Sequence, residues 1–419
     1  MRRNQRKKIR YCPTQKDIAD ALGYSQSTIA MALNPQYEHR LMEETVARIK
    51  EYAAKVGYHP QRFAQLMQGG RSQLIGVLVR FGMYTSAYEI VVRLANELNR
   101  AGYRLVLIDV SWFGDDPEAV KRYLLDQSVE GVIFCNLMPY EQSRLYAEIL
   151  PSTLPVVSLQ SAVEDRPGFR EDLRHAYSDL TRIHLALGAK RLMLLSSFRD
   201  AGTNTTPSFT VVQRALGFAD AIHKAGGVVV ADAFARTALR IPHCCPPEAA
   251  ENHALMGKIL YPVRLAHVKT AYENGYYQTR LLIESGNLPD TIMCANDDTA
   301  VGVLAACTDH GIKVPETVRI TGHDDTMAGR YSSVPLTTIR IPIETLVKKT
   351  AKRLIEAIEN HESSASGKIT QVPCELILRR SSGTRSELER LVEAGIASRH
   401  SPIHLELERN QEVRVISPE

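Results

Sequence analysis

From residue 74 onward the chain repeats one pattern: a short run of β-branched and aliphatic residues, a stretch with helical spacing, then another short run. LIGVLV, RLVLIDV, EGVIFC, PVVSL, RLMLLSS, GGVVVA, DTIMCA and VRITGH are too apolar to face water on either side. Strands of this kind belong to parallel sheets covered by helices, so the body is expected to be α/β. Ligands of such sheets sit at the carboxyl ends of the strands, where each run closes. No Walker loop, GxSxG elbow, HExxH or GxGxxG after a first strand is present, so neither an enzyme nor a bound cofactor is expected.

A length of 419 residues suggests two to three domains at roughly 150 residues each. Seven cysteines, an odd number spread over the whole chain, point to a reducing compartment rather than a disulfide framework. No apolar run approaches the roughly 18 residues of a membrane span, and the basic start MRRNQRKKIR lacks a signal peptide's apolar stretch. A cytoplasmic protein without a membrane partner is expected. The charge is uneven. Residues 1–71 carry thirteen Lys or Arg against six Asp or Glu, a net +7, while the whole chain carries +4. The remainder is therefore mildly acidic. A basic head on such a body suggests a polyanion-binding module attached to a domain with another task.

The head reads as a helix-turn-helix. Thr14 is an N-cap with Asp17 in the capping-box position; Ile18, Ala19 and Leu22 follow at helical spacing, and Gly23 ends the helix. Ser25 caps a second helix with Ile29, Ala32 and Leu33 inward and Gln26, Ser27 and Met31 outward. Asn34-Pro35 stops it, because the residue before a proline is pushed out of helical space. A third amphipathic stretch, Glu43 to Val56, presents Val46, Ile49, Tyr52 and Ala53 on one side. In a helix-turn-helix the second helix offers its N-terminal side chains to base edges in the major groove.

TQKDIADALGYSQSTIAMALN, then ETVARIKEYAAKVGYHP and FAQLMQGGRSQLIGVLV, closely resembles the head, hinge helix and first strand of the lac/galactose-repressor family of transcriptional regulators. The resemblance implies that Thr14, Ser25, Gln26, Ser27, Thr28, Met31, Asn34 and Tyr58 face DNA, with Gln26 and Ser27 reading bases and Thr28 contacting phosphate. Met31 stands where Arg is common, which removes a bidentate guanine contact and should change the preferred half-site. Met67 takes the place of the leucine that wedges the minor groove.

The resemblance continues through DTIMCANDDTAVGVLAACTDHGIKVPETVRITGHDD, VPLTTIRIP and ELILRRSSG. It implies a two-lobed effector domain of the periplasmic-binding-protein type I kind, with three chain crossings between lobes. By position, Asp297 matches a carboxylate that holds paired hydroxyls of a sugar-like effector. Arg214 matches an arginine that grips it. Carboxylates accept from such hydroxyls and a guanidinium donates a rigid fork. Asp297 could also serve as the N-cap of the helix from Thr299 to Ala306. Elsewhere the pattern departs: Phe81 and Tyr84 follow the first strand, and Gln160 stands where Asp is common. All three are candidate pocket residues. Trp112 is expected at a lobe surface.

The expected organisation is a helix-turn-helix head (1–59), a hinge (60–72), a two-lobed effector and dimerisation domain (73–383) and a C-terminal extension (384–419). The N-lobe is expected over about 73–173 and 312–338, and the C-lobe over 174–311 and 339–383. Residues 235–270 read as an insert with His243, Cys244, Cys245, His253 and His267, which lack zinc-module spacing; no metal site is expected. The tail is expected to hold a short amphipathic helix and a strand, docked on the body or contacting another copy. The leading function is a repressor that binds a pseudo-palindromic operator as a homodimer under control of a sugar-like ligand. The alternatives are a solute-binding sensor without DNA function, and a metal- or redox-responsive regulator built on the insert.

Overall fold

The computed structural model describes residues 13–34, 37–58, 71–80, 86–114, 116–137, 139–149, 154–160, 167–196, 208–242, 244–247, 253–262, 267–362, 367–394, 400–406 and 414–416. The chain divides into two compact units, residues 1–72 and 73–419.

In the first unit, α1 (Gln15–Leu22), α2 (Gln26–Ala32) and α3 (Glu43–Lys55) close over a small core of Ile18, Ala19, Ile29, Ala32, Ile49, Ala53 and Tyr58. Each junction has a local cause. The Thr14 side chain accepts from the Asp17 backbone while Asp17 accepts from the Thr14 N–H at 2.7 Å, a complete capping box. Gly23 takes φ 72° at the end of α1, a left-handed conformation that favours glycine.

The second unit contains two sheets. In the N-lobe, β1 (Leu74–Val79), α4 (Ser86–Arg100), β2 (Arg104–Asp109), α5 (Pro117–Asp126), β3 (Gly131–Cys135), α6 (Pro139–Ile149), β4 (Val156–Leu159) and β5 (Gly168–Glu171) follow one another. The C-lobe begins with α7 (Leu173–Ala186), β6 (Arg191–Leu195), α8 (Phe209–Lys224), β7 (Val228–Ala231), α9 (Ala233–Leu239), β8 (Cys244–Cys245) and β9 (Met256–Leu260). It continues through α10 (Ala271–Glu284), β10 (Thr291–Cys294), α11 (Asp297–Asp309), β11 (Arg319–His323), α12 (Met327–Arg330) and β12 (Thr337–Arg340). The chain then forms α13 (Ile343–Glu359) and β13 (Ile369–Val372), returns through β14 (Glu375–Leu378) and α14 (Arg385–Glu393), and closes with β15 (Ile403–Leu405) and β16 (Arg414–Ile416). The N-lobe sheet has the order β13-β5-β4-β3-β1-β2 with every pair parallel. The C-lobe sheet has the order β16-β15-β14-β12-β11-β10-β6-β9-β7-β8, antiparallel only at β12–β14 and β15–β16.

The lobe boundaries differ from those expected. Residues 312–338, expected in the N-lobe, carry β11 and the start of β12. Both strands extend the C-lobe sheet, β11 beside β10 and β12 beside β11. From 339–383, expected in the C-lobe, α13 and β13 instead join the N-lobe. The cause is the apolar face of α13: Leu346, Val347, Ala351, Leu354 and Ile358 pack with Ile75, Val77 and Ile133 of the N-lobe core. Gly131 admits this approach, since a Cβ there would lie 3.0 Å from both Leu354 and Ile358. The crossings therefore fall near 172, 341 and 373.

The segment 235–270 is not a peripheral insert. Its strand β9 lies between β6 and β7, parallel to both. Gly257 makes this possible, because a Cβ there would come within 2.2 Å of Ile222. The tail is likewise structural: β15 pairs with β14 in parallel and β16 with β15, while the His400 ring lies 4.0 Å from that of His175. Trp112 lies at the surface, 66% exposed. No described helix is long and apolar enough to cross a membrane.

Candidate functional site

The N-terminus of α2 presents the first candidate surface. Ser25 Oγ accepts from the Thr28 N–H at 3.1 Å and lies 2.7 Å from Ser27 Oγ and 2.8 Å from Thr28 Oγ1. Its hydroxyl is thus committed to capping, and it holds the first turn of the helix. Gln26 and Ser27 are exposed beside it, with Thr28 and Met31 half-buried at the edge of the same surface. Thr14 and Asn34 are also half-buried, Thr14 bound in its capping box. Tyr58 departs from the expectation. Its ring is buried in the head's core, where burial raises the phenol pKa against a hydrogen bond with Gln15. Its ring supports the head rather than facing outward. Met67 and the basic residues 2–10 lie outside the described residues.

The second candidate site gathers at the carboxyl ends of the strands in the body. Arg214, on the first turns of α8, is half-buried, and its buried Nε has no hydrogen-bond partner among the described residues. Its guanidinium lies 6.0 Å from the centroid of the Tyr177 ring. The Tyr177 ring stacks at 5.9 Å on His323, the last residue of β11, while its hydroxyl donates to the Cys294 carbonyl at 3.1 Å. His323 Nε2 lies 3.6 Å from the carboxylate of Asp324. Glu171 closes β5 on the N-lobe side, and Gln160 follows β4 with φ 63° and its N–H donating to the Phe169 carbonyl. Among the described residues, Gln160 Oε1, Glu171 Oε2, Arg214 Nε and both ring nitrogens of His323 are buried without a hydrogen-bond partner. Buried polar atoms are nearly always paired, so such a group is the mark of a site made for something else.

Burial dominates the electrostatics here. It pushes the Glu171 carboxyl up to about 7, against its own backbone hydrogen bond and the nearby charges of Arg214 and Arg170. Asp324 is raised well above the ordinary carboxylate range by burial and by Asp297, with Arg214 opposing. His323 is driven far below its usual value by burial and then by Arg214, so its imidazole is neutral.

Asp297 takes a different place from the one its motif suggests. The N-cap of α11 is Asn296, whose side chain accepts from the Thr299 N–H at 2.8 Å; Asp297 is the first helical residue and is fully buried. Its Oδ2 accepts from the Thr326 N–H at 2.6 Å and from Thr326 Oγ1 at 3.2 Å, and its Oδ1 accepts from Thr338 Oγ1 at 2.8 Å. Gly322 and Gly329 make room for it: a Cβ at Gly322 would fall 2.0 Å from Oδ1. Burial raises this carboxyl to about 7, the hydrogen bonds from Thr338 and Thr326 notwithstanding. Asp297 therefore ties α11 to the β11–α12 turn and to β12, with a single acceptor position left over at most. Phe81 and Tyr84 lie outside the described residues. Glu171, Tyr177, His323 and Asp324 were not singled out in the sequence, although the closing residues of β5 and β11 are where the strand-end rule directs attention.

The metal alternative gains nothing from the insert. Cys244 and Cys245 lie half-buried on the edge strand β8, burial pushes the Cys244 thiol up to about 11, and no three His, Cys, Asp or Glu side chains converge among the described residues. His243 lies outside those residues.

The three-helix head and the two-sheet body define a fold class: a helix-turn-helix unit joined in sequence to a periplasmic-binding-protein-like α/β domain. Residues 248–382 match the family model of the periplasmic binding protein-like domain. The chain is 25% identical over 374 residues to the HTH-type transcriptional repressor PurR of Haemophilus influenzae, covering 88% of this chain and 98% of that protein. It is 26% identical over 379 residues to the HTH-type transcriptional regulator AglR of Rhizobium meliloti, covering 88% and 94%. To the lactose operon repressor of Escherichia coli it is 25% identical over 348 residues, covering 82% and 84%. The fold matches a lac repressor dimer bound to operator and the anti-inducer ONPF with a TM-score of 0.69 at 21% identity, covering 89% of this chain and all of that one. It also matches a complex of the transcriptional regulator CelR with cellobiose, with a TM-score of 0.56 at 20% identity, covering 88% and 100%. The chain thus resembles the lac/galactose repressor family along most of its length. The relatives it matches along most of their length are transcriptional repressors and regulators.

Proposed function

We propose that the protein is a repressor that binds a pseudo-palindromic operator as a homodimer and changes its grip when a small, sugar-like molecule enters the cleft between the lobes. In this reading residues 1–59 read DNA, 60–72 form a hinge with Met67 at the central base step, and the two-lobed body senses the ligand in the cytoplasm. The observation that carries the sensing half is the buried Nε of Arg214, which has no partner among the described residues, in the field of Glu171, Asp324 and His323. Arginine offers five donors in fixed geometry, and a buried one left unused is costly unless a ligand takes it. Hydroxyls suit the remaining partners, since they can donate to Glu171 and accept from Arg214 at once. Phe81, Tyr84, Gln160 and Asp297 complete the proposed ligand set, Asp297 chiefly by fixing the turn beside it.

The DNA half rests on the exposed Gln26 and Ser27 at the capped start of α2. Amide side chains pair naturally with adenine in the major groove. A ligand can shift DNA affinity only by binding one lobe arrangement better than the other, and a coupling of about 1–3 kcal/mol would change affinity roughly 5- to 150-fold.

The test is fluorescence anisotropy on DNA from the gene's own promoter, comparing wild type with Gln26→Ala and Ser27→Ala. Each substitution should weaken specific binding roughly 5- to 150-fold, as expected for about 1–3 kcal/mol per base contact, and leave non-specific binding unchanged. Equal affinity for promoter and scrambled DNA in the wild type would overturn the reading.

A further inference from the structure

The C-terminal segment reaches the candidate effector site through a buried chain of charges. The parallel register that sets Leu405 beside Leu378 brings the next residues, Glu406 and Arg379, together, and the Glu406 N–H donates to the Leu378 carbonyl at 3.0 Å. Arg379 is 1% exposed. Its Nε and one terminal nitrogen donate to Glu406 Oε2 at 2.8 and 2.6 Å, and that nitrogen also donates to Asp325 Oδ1 at 2.6 Å. Its other terminal nitrogen donates to the Leu336 carbonyl at 2.9 Å. Arg340 bridges the same two acids, donating to Asp325 Oδ2 at 2.7 Å and to Glu406 Oε1 at 3.2 Å.

Asp325 is half of an unusual turn. Asp324 has φ 105° and Asp325 φ 54°, two consecutive non-glycine residues in the left-handed half of backbone space. Such a conformation persists only where its surroundings over-determine it. Here the determinants are visible. Arg330, Arg340 and Arg379 hold the Asp325 carboxylate, and the Asp325 N–H donates to Thr338 Oγ1 at 3.3 Å. The turn separates His323 and Asp324, which feel the charge of Arg214 beside the shared Tyr177 ring, from Thr326, which binds Asp297. Without Glu406, three guanidiniums, those of Arg330, Arg340 and Arg379, would share Asp325, with Glu375 reaching only Arg340.

We infer that Glu406 is a positioning residue for the effector site: through Arg379 and Asp325 it fixes the left-handed Asp324–Asp325 turn, and with it the placement of His323 and Asp324 relative to Arg214. The C-terminal extension is thereby part of the sensing apparatus. The inference rests on the proposed function only in calling this place an effector site.

The test uses the full-length protein with the histidine rings labelled for NMR, His323 and His184 being assigned by loss of their signals in His323→Gln and His184→Gln. His184 is buried in the same lobe, on α7, shares no hydrogen bond or ion pair with the Glu406 network among the described residues, and serves as the control reporter. Glu406→Gln keeps the side chain's size and removes its charge. It should displace or broaden the His323 signal and leave that of His184 in place. A panel of neutral mono- and disaccharides, assayed by thermal shift, runs alongside, and any sugar that binds wild type should bind Glu406→Gln roughly tenfold more weakly or worse. Glu406→Asp, which keeps the charge one methylene further back, should act in the same direction but less, and it carries the test should Glu406→Gln fail to fold. An unchanged His323 signal in a folded variant would overturn the inference. So would equal movement of both histidines, which marks general loosening. Should no sugar bind wild type, the sugar reading fails while the histidine comparison still decides the role of Glu406.

Discussion

Arg379 shows how much one side chain can carry. It is buried, ion-paired through Nε and one terminal nitrogen while the other donates to the Leu336 carbonyl, and joins strand β14 to the tail and to the β11–α12 turn. Removing one partner of a buried ion network leaves the others uncompensated, which typically costs about 3–5 kcal/mol. Arg379→Ala should therefore lower the unfolding free energy of the body by about that amount in urea denaturation; a loss below about 1 kcal/mol would mean the network is solvated. Asp297 makes a prediction of opposite sign with pH. Its carboxyl is raised from an ordinary 3.8 to about 7 in the folded state. The folded protein thus holds a proton the unfolded chain has released, and this contribution is complete below about pH 4 and fades as pH rises through 7. Asp297→Asn should gain stability relative to wild type between pH 5 and 8, followed by thermal melts; a difference independent of pH would show that the carboxyl titrates normally. The importance of Asp297 was legible in its motif, but its direction was not. Nothing in the spacing says that Gly322 and Gly329 leave a recess beneath it. Arg214 was singled out by its motif, whereas its neighbour Tyr177 emerged only from the packing of two helices. His323 and Asp324 became visible only with the turn that presents them.

At the level of elements, helix pairs in the C-lobe pack through glycine. A Cβ at Gly275 of α10 would meet the Thr299 carbonyl at 2.0 Å, and one at Gly302 of α11 would meet the Tyr272 carbonyl at 2.0 Å. The neighbours are backbone and cannot yield by rotation. Gly302→Ala should force the helices apart and destabilise the body by about 1–3 kcal/mol, whereas the same change at the surface end of a helix would be mild. Denaturation curves of Gly302→Ala beside wild type measure this directly, and a neutral effect would contradict the close crossing. The strand runs were legible because each is apolar enough to need cover on both faces. β9 was not, because MGKIL interrupts its apolar residues with glycine and lysine and follows a segment rich in proline and cysteine. The ownership of β11 and α13 by lobe could not be read either. Both lobes use the same strand and helix patterns, and only the complementary surfaces of Gly131 and α13 decide which is joined.

For the whole molecule, the division of charge matters most. Thirteen basic residues against six acidic ones in the first 71, with the rest mildly acidic, confine attraction for a polyanion to the head. Operator affinity should fall by about 10³–10⁵ between roughly 50 and 200 mM salt if six to ten phosphates are contacted. Anisotropy titrations at several salt concentrations check this, and a flat response would exclude the head as the binding surface. The head's architecture, its capping and its outward side chains were nearly all readable, since each depends on residues a few positions apart. Tyr58 was the exception, because its burial is decided by packing against three helices at once. The most direct measurement is selection of binding sites from random double-stranded DNA by the full-length protein, with and without the sugar panel. A two-fold symmetric motif of about 14–20 base pairs with a bendable centre is expected, its enrichment altered by a ligand. Recovery of unenriched sequence under every condition would contradict a ligand-responsive repressor.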